Sequence, residues 1–145
     1  MKVPFFNYPK IYLDDKKSFN QIFERVATSG GFIMQEDLSN FEKEIATYCN
    51  CNYAIGVGNA TDALEMLVSI AGINKDHEVI LSSHTMVATA SAIHINGAKP
   101  IPVEIGDDHL IDVSSIINNL SPKTKAILVT QLNGRTANMD EILKI

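Results

Sequence analysis

Cysteine is scarce in this 145-residue chain: there are two, Cys49 and Cys51, only two positions apart. With no histidine nearby they cannot furnish a tetrahedral metal set. Neither a metal centre nor a disulfide framework is expected. The pair is expected as reduced, partly buried thiols, with a redox role for the C-x-C spacing as the alternative. Basic charge is also in short supply, with 12 Lys plus Arg against 17 Asp plus Glu and a net charge of -5. The basic residues are scattered, and their densest group, Lys16-Lys17, sits beside Asp14-Asp15. That pattern gives no electrostatic footprint for nucleic acid or an anionic membrane. Long apolar runs are missing too: stretches such as 126–129 are far too short to span a bilayer, and the amino terminus has no signal-like apolar core. The expected compartment is the cytoplasm. Glycine (8) and proline (5) are sparse, while 46% of residues are hydrophobic and 20% charged. This is the composition of one globular core rather than of a disordered or low-complexity chain.

The apolar periodicity then orders the chain. Phe19, Ile22, Phe23 and Val26 follow helical spacing, predicting a helix over 18–28 that Gly30-Gly31 ends. A second helix is predicted over 36–48, with acids in its first turn and Leu38, Phe41, Ile45 and Tyr48 along one stripe. Residues 53–57, 79–81, 100–105 and 125–130 read as short buried strands rich in β-branched residues. Helices over 61–71, 87–95 and 113–120, the last with Asp112 as N-cap, separate them. Strand and helix in alternation imply right-handed crossovers, and so an α/β fold with a mostly parallel sheet and helices on both faces. Asn138 followed by Glu141 marks a further helix start, whose apolar face of Met139, Ile142 and Leu143 has only begun at Ile145. The chain is therefore expected to be the front portion of a longer domain, cut inside a helix.

Ligands of parallel sheets bind outside the carboxyl ends of the strands, so the segments after the strands carry the candidate chemistry. Gly56-Val57-Gly58-Asn59-Ala60-Thr61 turns into a helix whose free N–H groups and positive dipole end suit a phosphate, with Thr61 adding a hydroxyl. The segment is neither a complete G-x-G-x-x-G fingerprint nor a Walker loop. A second reading stays open, in which Gly56 and Gly58 permit a turn and Asn59 caps the helix. Ser82-Ser83-His84-Thr85-Met86 gathers hydrogen-bonding groups after the next strand, His84 as an acid or base, Ser83 or Thr85 as a plain helix cap. After the last strand comes Gln131-Leu132-Asn133-Gly134-Arg135, where Arg135 is a planar donor suited to a carboxylate or phosphate, or else a solvated loop charge. No Ser/His/Asp, Cys/His or paired-carboxylate set stands out.

Taken together, these segments resemble the DegT/StrS-type sugar aminotransferases. The resemblance is carried by Ser29-Gly30-Gly31-Phe32-Ile33, residues 56–64, His84-Thr85-Met86-Val87-Ala88-Thr89 and Gly97-Ala98-Lys99-Pro100. Ser121-Pro122-Lys123-Thr124-Lys125-Ala126 and residues 131–140 continue it in the same order. It implies the N-terminal part of the large domain of a fold type I enzyme: an N-terminal helical segment (1–50), then alternating strand and helix units (51–145). It further implies pyridoxal 5′-phosphate (PLP) as cofactor and a homodimer in the full-length protein. The implied reaction moves an amino group, usually from glutamate, onto a nucleotide-linked keto sugar, in amino-sugar or surface polysaccharide biosynthesis.

By position, the resemblance places Asn59, Ala60 and Thr61 at the PLP phosphate and Met86 on the pyridine ring, where many members carry an aromatic residue. His84, Gln131 and Arg135 fall on the substrate side, Gln131 replacing a frequent histidine and Arg135 a frequent glutamine. The lysine that forms the Schiff base and the acid that pairs with the pyridine nitrogen belong to motifs this chain does not contain. No catalytic residue is assigned here, and the 145 residues alone are expected to be inactive. A sugar dehydratase of the same family and a non-catalytic α/β phosphate-binding or interaction module are the alternatives.

Overall fold

The computed structural model describes residues 3–145. Its chain forms two compact units, dividing after Gly56.

Among the described residues, the first unit holds two helices. α1 (Tyr8–Ser29) starts well before the expected residue 18, because the side chain of Asn7 accepts from Lys10 N and a proline occupies the first turn, where it is tolerated. Asp15 leaves the helical region (φ -116°, ψ 16°), and this kink interrupts the apolar period. The pattern was therefore legible only beyond it. Gly30 ends α1 in the left-handed region at φ 69°, as expected. The stripe of Phe19, Ile22 and Phe23 is exposed in this unit.

α2 (Glu36–Tyr48) has the bounds expected, with Glu36 and Asp37 in its first turn and Asp37 accepting from Arg25 at 3.0 Å. Asn50 (φ 52°) closes it. Cys51 N–H donates to Ala46 O and Asn50 N–H to Thr47 O, the paired bonds of a Schellman turn. Cys49 and Cys51 flank that turn and are free and exposed, which corrects the expectation of partly buried thiols. No strand forms at 53–57. A β-branched run makes a strand only where a neighbour completes its ladder. Instead Gly56 N–H donates to the Glu42 carboxylate at 2.7 Å, and Tyr53 and Ile55 are exposed.

The second unit is a parallel sheet of β1 (Glu78–Ser82), β2 (Lys99–Val103) and β3 (Thr124–Leu128) in the order β2-β1-β3. Three of the four expected strands thus form, each within a residue or two of its expected bounds. Pro100 and Pro102 share one side of β2 and have no N–H to donate. They are tolerated because β2 is an edge strand and its other residues serve the ladder to β1.

Alternation along β1 sets the layers. Val79 and Leu81 pack with Val68 of α3 (Ala60–Ile70) and Ile93 of α4 (Val87–Ile95). Ile80 packs on the opposite face with Ile116 of α5 (Val113–Asn118) and Ile142 of α6 (Met139–Ile142). The sheet is therefore covered by helices on both faces, as the sequence predicted. Asn59, Asp112 and Asn138 cap α3, α5 and α6 by accepting from the N–H groups of Asp62, Ser115 and Glu141. Among the described residues, no helix is long and apolar enough to cross a membrane.

Candidate functional site

Because the three strands are parallel, the segments after Ser82, Val103 and Leu128 leave from one edge of the sheet. Side chains there bind the segments to each other. Thr85, after β1, has its Oγ1 2.7 Å from Thr130 Oγ1, after β3, and 2.9 Å from Thr89 Oγ1 in α4. Neither Ser83 nor Thr85 caps α4, which corrects the plain capping reading: the N-cap position is Met86, without a side-chain bond. The Thr85 hydroxyl is engaged across the sheet edge instead. Ser82 Oγ accepts from His84 N–H, tightening the turn out of β1.

His84 is exposed and meets the ring of His109 edge to face, centroids 5.9 Å apart. His109 sits at φ 65° in the tight turn after β2, where its N–H donates to Gly106 O. Arg135 is tied to the same turn, its guanidinium donating to Asp108 O at 2.7 Å. Gln131 shapes its own loop, accepting from Ala137 N–H at 2.6 Å through its side-chain oxygen. Met86 projects into solvent at 73% exposure. The structure thus brings His84, Met86, Gln131 and Arg135 to one edge, with Gln131 and Arg135 already holding backbone groups.

Asn59, Ala60 and Thr61 open α3. The Asn59 side chain accepts from Asp62 N–H at 3.0 Å and its amide donates to the Asp62 carboxylate, also at 3.0 Å. The N–H groups of Ala60 and Thr61 and the Thr61 hydroxyl have no partner among the described residues. Gly58 lies close to the same first turn: a Cβ there would stand 3.2 Å from the Asp62 carboxylate. Its role is close approach rather than a left-handed backbone. Gly56 likewise admits the Leu38 side chain, 2.7 Å from where its Cβ would be. Among the described residues, no three or more His, Cys, Asp or Glu side chains gather to hold a metal ion.

Thr89, His109 and Thr130 were not singled out in the sequence. The partners of His109 and Thr130 lie in other segments, Thr130 being 45 positions from Thr85, and only the paired strands bring them together. The one local signal was the Thr-x-x-x-Thr spacing of Thr85 and Thr89, which places both on one side of a helix start.

The profile of the DegT/DnrJ/EryC1/StrS aminotransferase family matches residues 13–145. The chain belongs to this family. Within it, the chain is 34% identical over 145 residues to dTDP-3-amino-3,4,6-trideoxy-alpha-D-glucose transaminase of Streptomyces venezuelae, covering 99% of this chain and 38% of that protein. It is 36% identical over 141 residues to dTDP-3-amino-3,6-dideoxy-alpha-D-galactopyranose transaminase of Aneurinibacillus thermoaerophilus, covering 97% and 39%. Among solved structures, NtdA of Bacillus subtilis with bound cofactor PMP superposes with a TM-score of 0.93 at 30% identity, over 99% of this chain and 33% of that one. The chain spans about two fifths of the length of the curated DegT/DnrJ/EryC1/StrS relatives it matches.

Proposed function

We propose that this chain supplies the phosphate cradle and part of the substrate edge of a PLP-dependent aminotransferase, which moves an amino group from glutamate onto a nucleotide-linked keto sugar in amino-sugar biosynthesis. The observation that carries the proposal is the opening of α3. Two backbone N–H groups and one hydroxyl, at Ala60 and Thr61, have no partner among the described residues and lie at the positive end of an 11-residue helix. Such a terminus attracts a phosphate dianion. Asn59 fixes this first turn and turns the Asp62 carboxylate onto its own amide. Gly58 keeps the approach free of a side chain. These residues fit the phosphate of PLP.

The relatives support the rest of the reading. The two named above are transaminases of dTDP-linked sugars, and NtdA holds PMP. When bound, PLP supplies an electron sink for moving the amino group. In this reading Met86 lies against the pyridine ring, its thioether providing a polarizable contact in place of an aromatic stack. His84 faces the keto sugar at the same edge. Gln131 acts mainly by shaping the loop after β3, and Arg135 by holding that loop to the turn after β2. The chain forms the front of a large domain in a cytoplasmic homodimer, and the lysine that carries the cofactor lies outside these residues.

The test uses the complete enzyme that contains these residues. Added L-glutamate should convert its PLP absorption to that of the amine form of the cofactor, and an unchanged spectrum contradicts the proposal. Borohydride treatment of the 145-residue chain with PLP, followed by peptide mass mapping, should label no single lysine. One specifically labelled lysine would show that the cofactor-bearing residue lies within the chain.

A further inference from the structure

The hydroxyls of Thr89, Thr85 and Thr130 form a chain of two hydrogen bonds, 2.9 Å and 2.7 Å long. Three hydroxyl protons share two bonds, so one proton is always unspent. Burial decides where it is. Thr89 is 5% exposed, and its hydroxyl has no partner other than Thr85 among the described residues. If Thr89 only accepted, its own proton would be buried without an acceptor, the arrangement proteins avoid. Thr89 therefore donates to Thr85, and the unspent proton lies at the edge, on Thr85 or Thr130. The arrangement in which Thr85 passes the polarity on, accepting from Thr89 and donating to Thr130, is cooperative. The one in which both neighbours donate into Thr85 is not. The spare donor is thus the Thr130 hydroxyl. It is half-buried at the carboxyl edge of a parallel sheet, where ligands bind.

We propose that Thr130 is a binding residue of this site, donating its hydroxyl proton to an oxygen on the cofactor ring, with Thr85 and Thr89 as the positioning residues that aim it. The inference rests on the PLP reading above. That reading takes the cofactor's phosphate oxygens at Ala60 and Thr61, and puts its ring against Met86, the residue next to Thr85. The Thr130 hydroxyl, bonded to that neighbour of Met86 at the same sheet edge, is the donor that would serve an oxygen on the ring.

The experiment is a PLP titration of the complete enzyme, read by affinity and by the position of the visible absorption band. Thr130→Val should weaken PLP about tenfold, the worth of one hydrogen bond, and should shift the band. Thr130→Ser, which keeps the donor, should restore both. Thr89→Val leaves Thr130 in place without its direction and should give a smaller change of the same sign. A Thr130→Val enzyme that melts like wild type and keeps wild-type affinity and spectrum overturns the inference. A wild-type enzyme that takes up no PLP overturns the functional reading itself, and the inference with it.

Discussion

Among the described residues, four non-glycine residues adopt positive φ: Met34, Asn50, His109 and Asn133. Asparagine tolerates this conformation, and Asn50 uses it to close α2, but Met34 (φ 48°) has no such excuse. Its side chain is 84% exposed, so no burial compensates for the strain. Glycine would relieve about 1–2 kcal/mol of strain and cost about 0.5–1 kcal/mol in the entropy of the unfolded chain. Met34→Gly is therefore expected to stabilise the protein by roughly 0.5 kcal/mol, measured as a rise in the denaturant midpoint at unchanged slope. At this scale, what the sequence revealed depended on reach. The caps at Asn59, Asp112 and Asn138 were legible because a cap is written within four residues. The Thr85 to Thr130 bond and the Arg135 to Asp108 bond were not, because each joins segments that only the sheet brings together.

At the scale of elements, the strands were legible where pairing supported them and misread where composition stood alone. Residues 78–82, 99–103 and 124–128 have apolar centres and are paired, whereas 53–57 has a similar apolar content and no strand. The starting ends of the three strands are joined at Glu78. Its carboxylate accepts from Ser121 Oγ at 2.6 Å, just before β3, and from Lys99 Nζ at 3.3 Å in β2. The Ser121 hydrogen bond, then the Lys99 bond and charge, hold the Glu78 carboxyl below its ordinary value of 4.5. A carboxylate with a lowered folded value stabilises the fold above pH 4.5, and this contribution is lost as the pH falls through the lowered value. Glu78→Gln should therefore be less stable than wild type at neutral pH, with the gap closing below about pH 4.5. Melting curves from neutral to acid pH check this. A gap that is constant or widens in acid would show that Glu78 does not act through its charge.

For the molecule as a whole, the α/β reading held because β1 alternates: Ile80 faces one layer of helices, Val79 and Leu81 the other. A strand buried on both faces is readable as a continuous apolar run, and Val79 to Leu81 is such a run. The family was legible through ordered motifs. The use of its loops was less so, since Gln131 and Arg135 turn out to hold backbone groups rather than stand free. The central claim is that the free donors opening α3 hold a cofactor phosphate, and the Thr61 hydroxyl tests it most directly. Thr61→Val keeps the shape and the backbone N–H groups and removes only the hydroxyl. An equilibrium PLP titration of the complete enzyme is predicted to give a dissociation constant roughly 10- to 100-fold higher for Thr61→Val than for wild type, the worth of one charge-assisted bond. Equal affinities for the two would contradict the placement of the phosphate at the opening of α3.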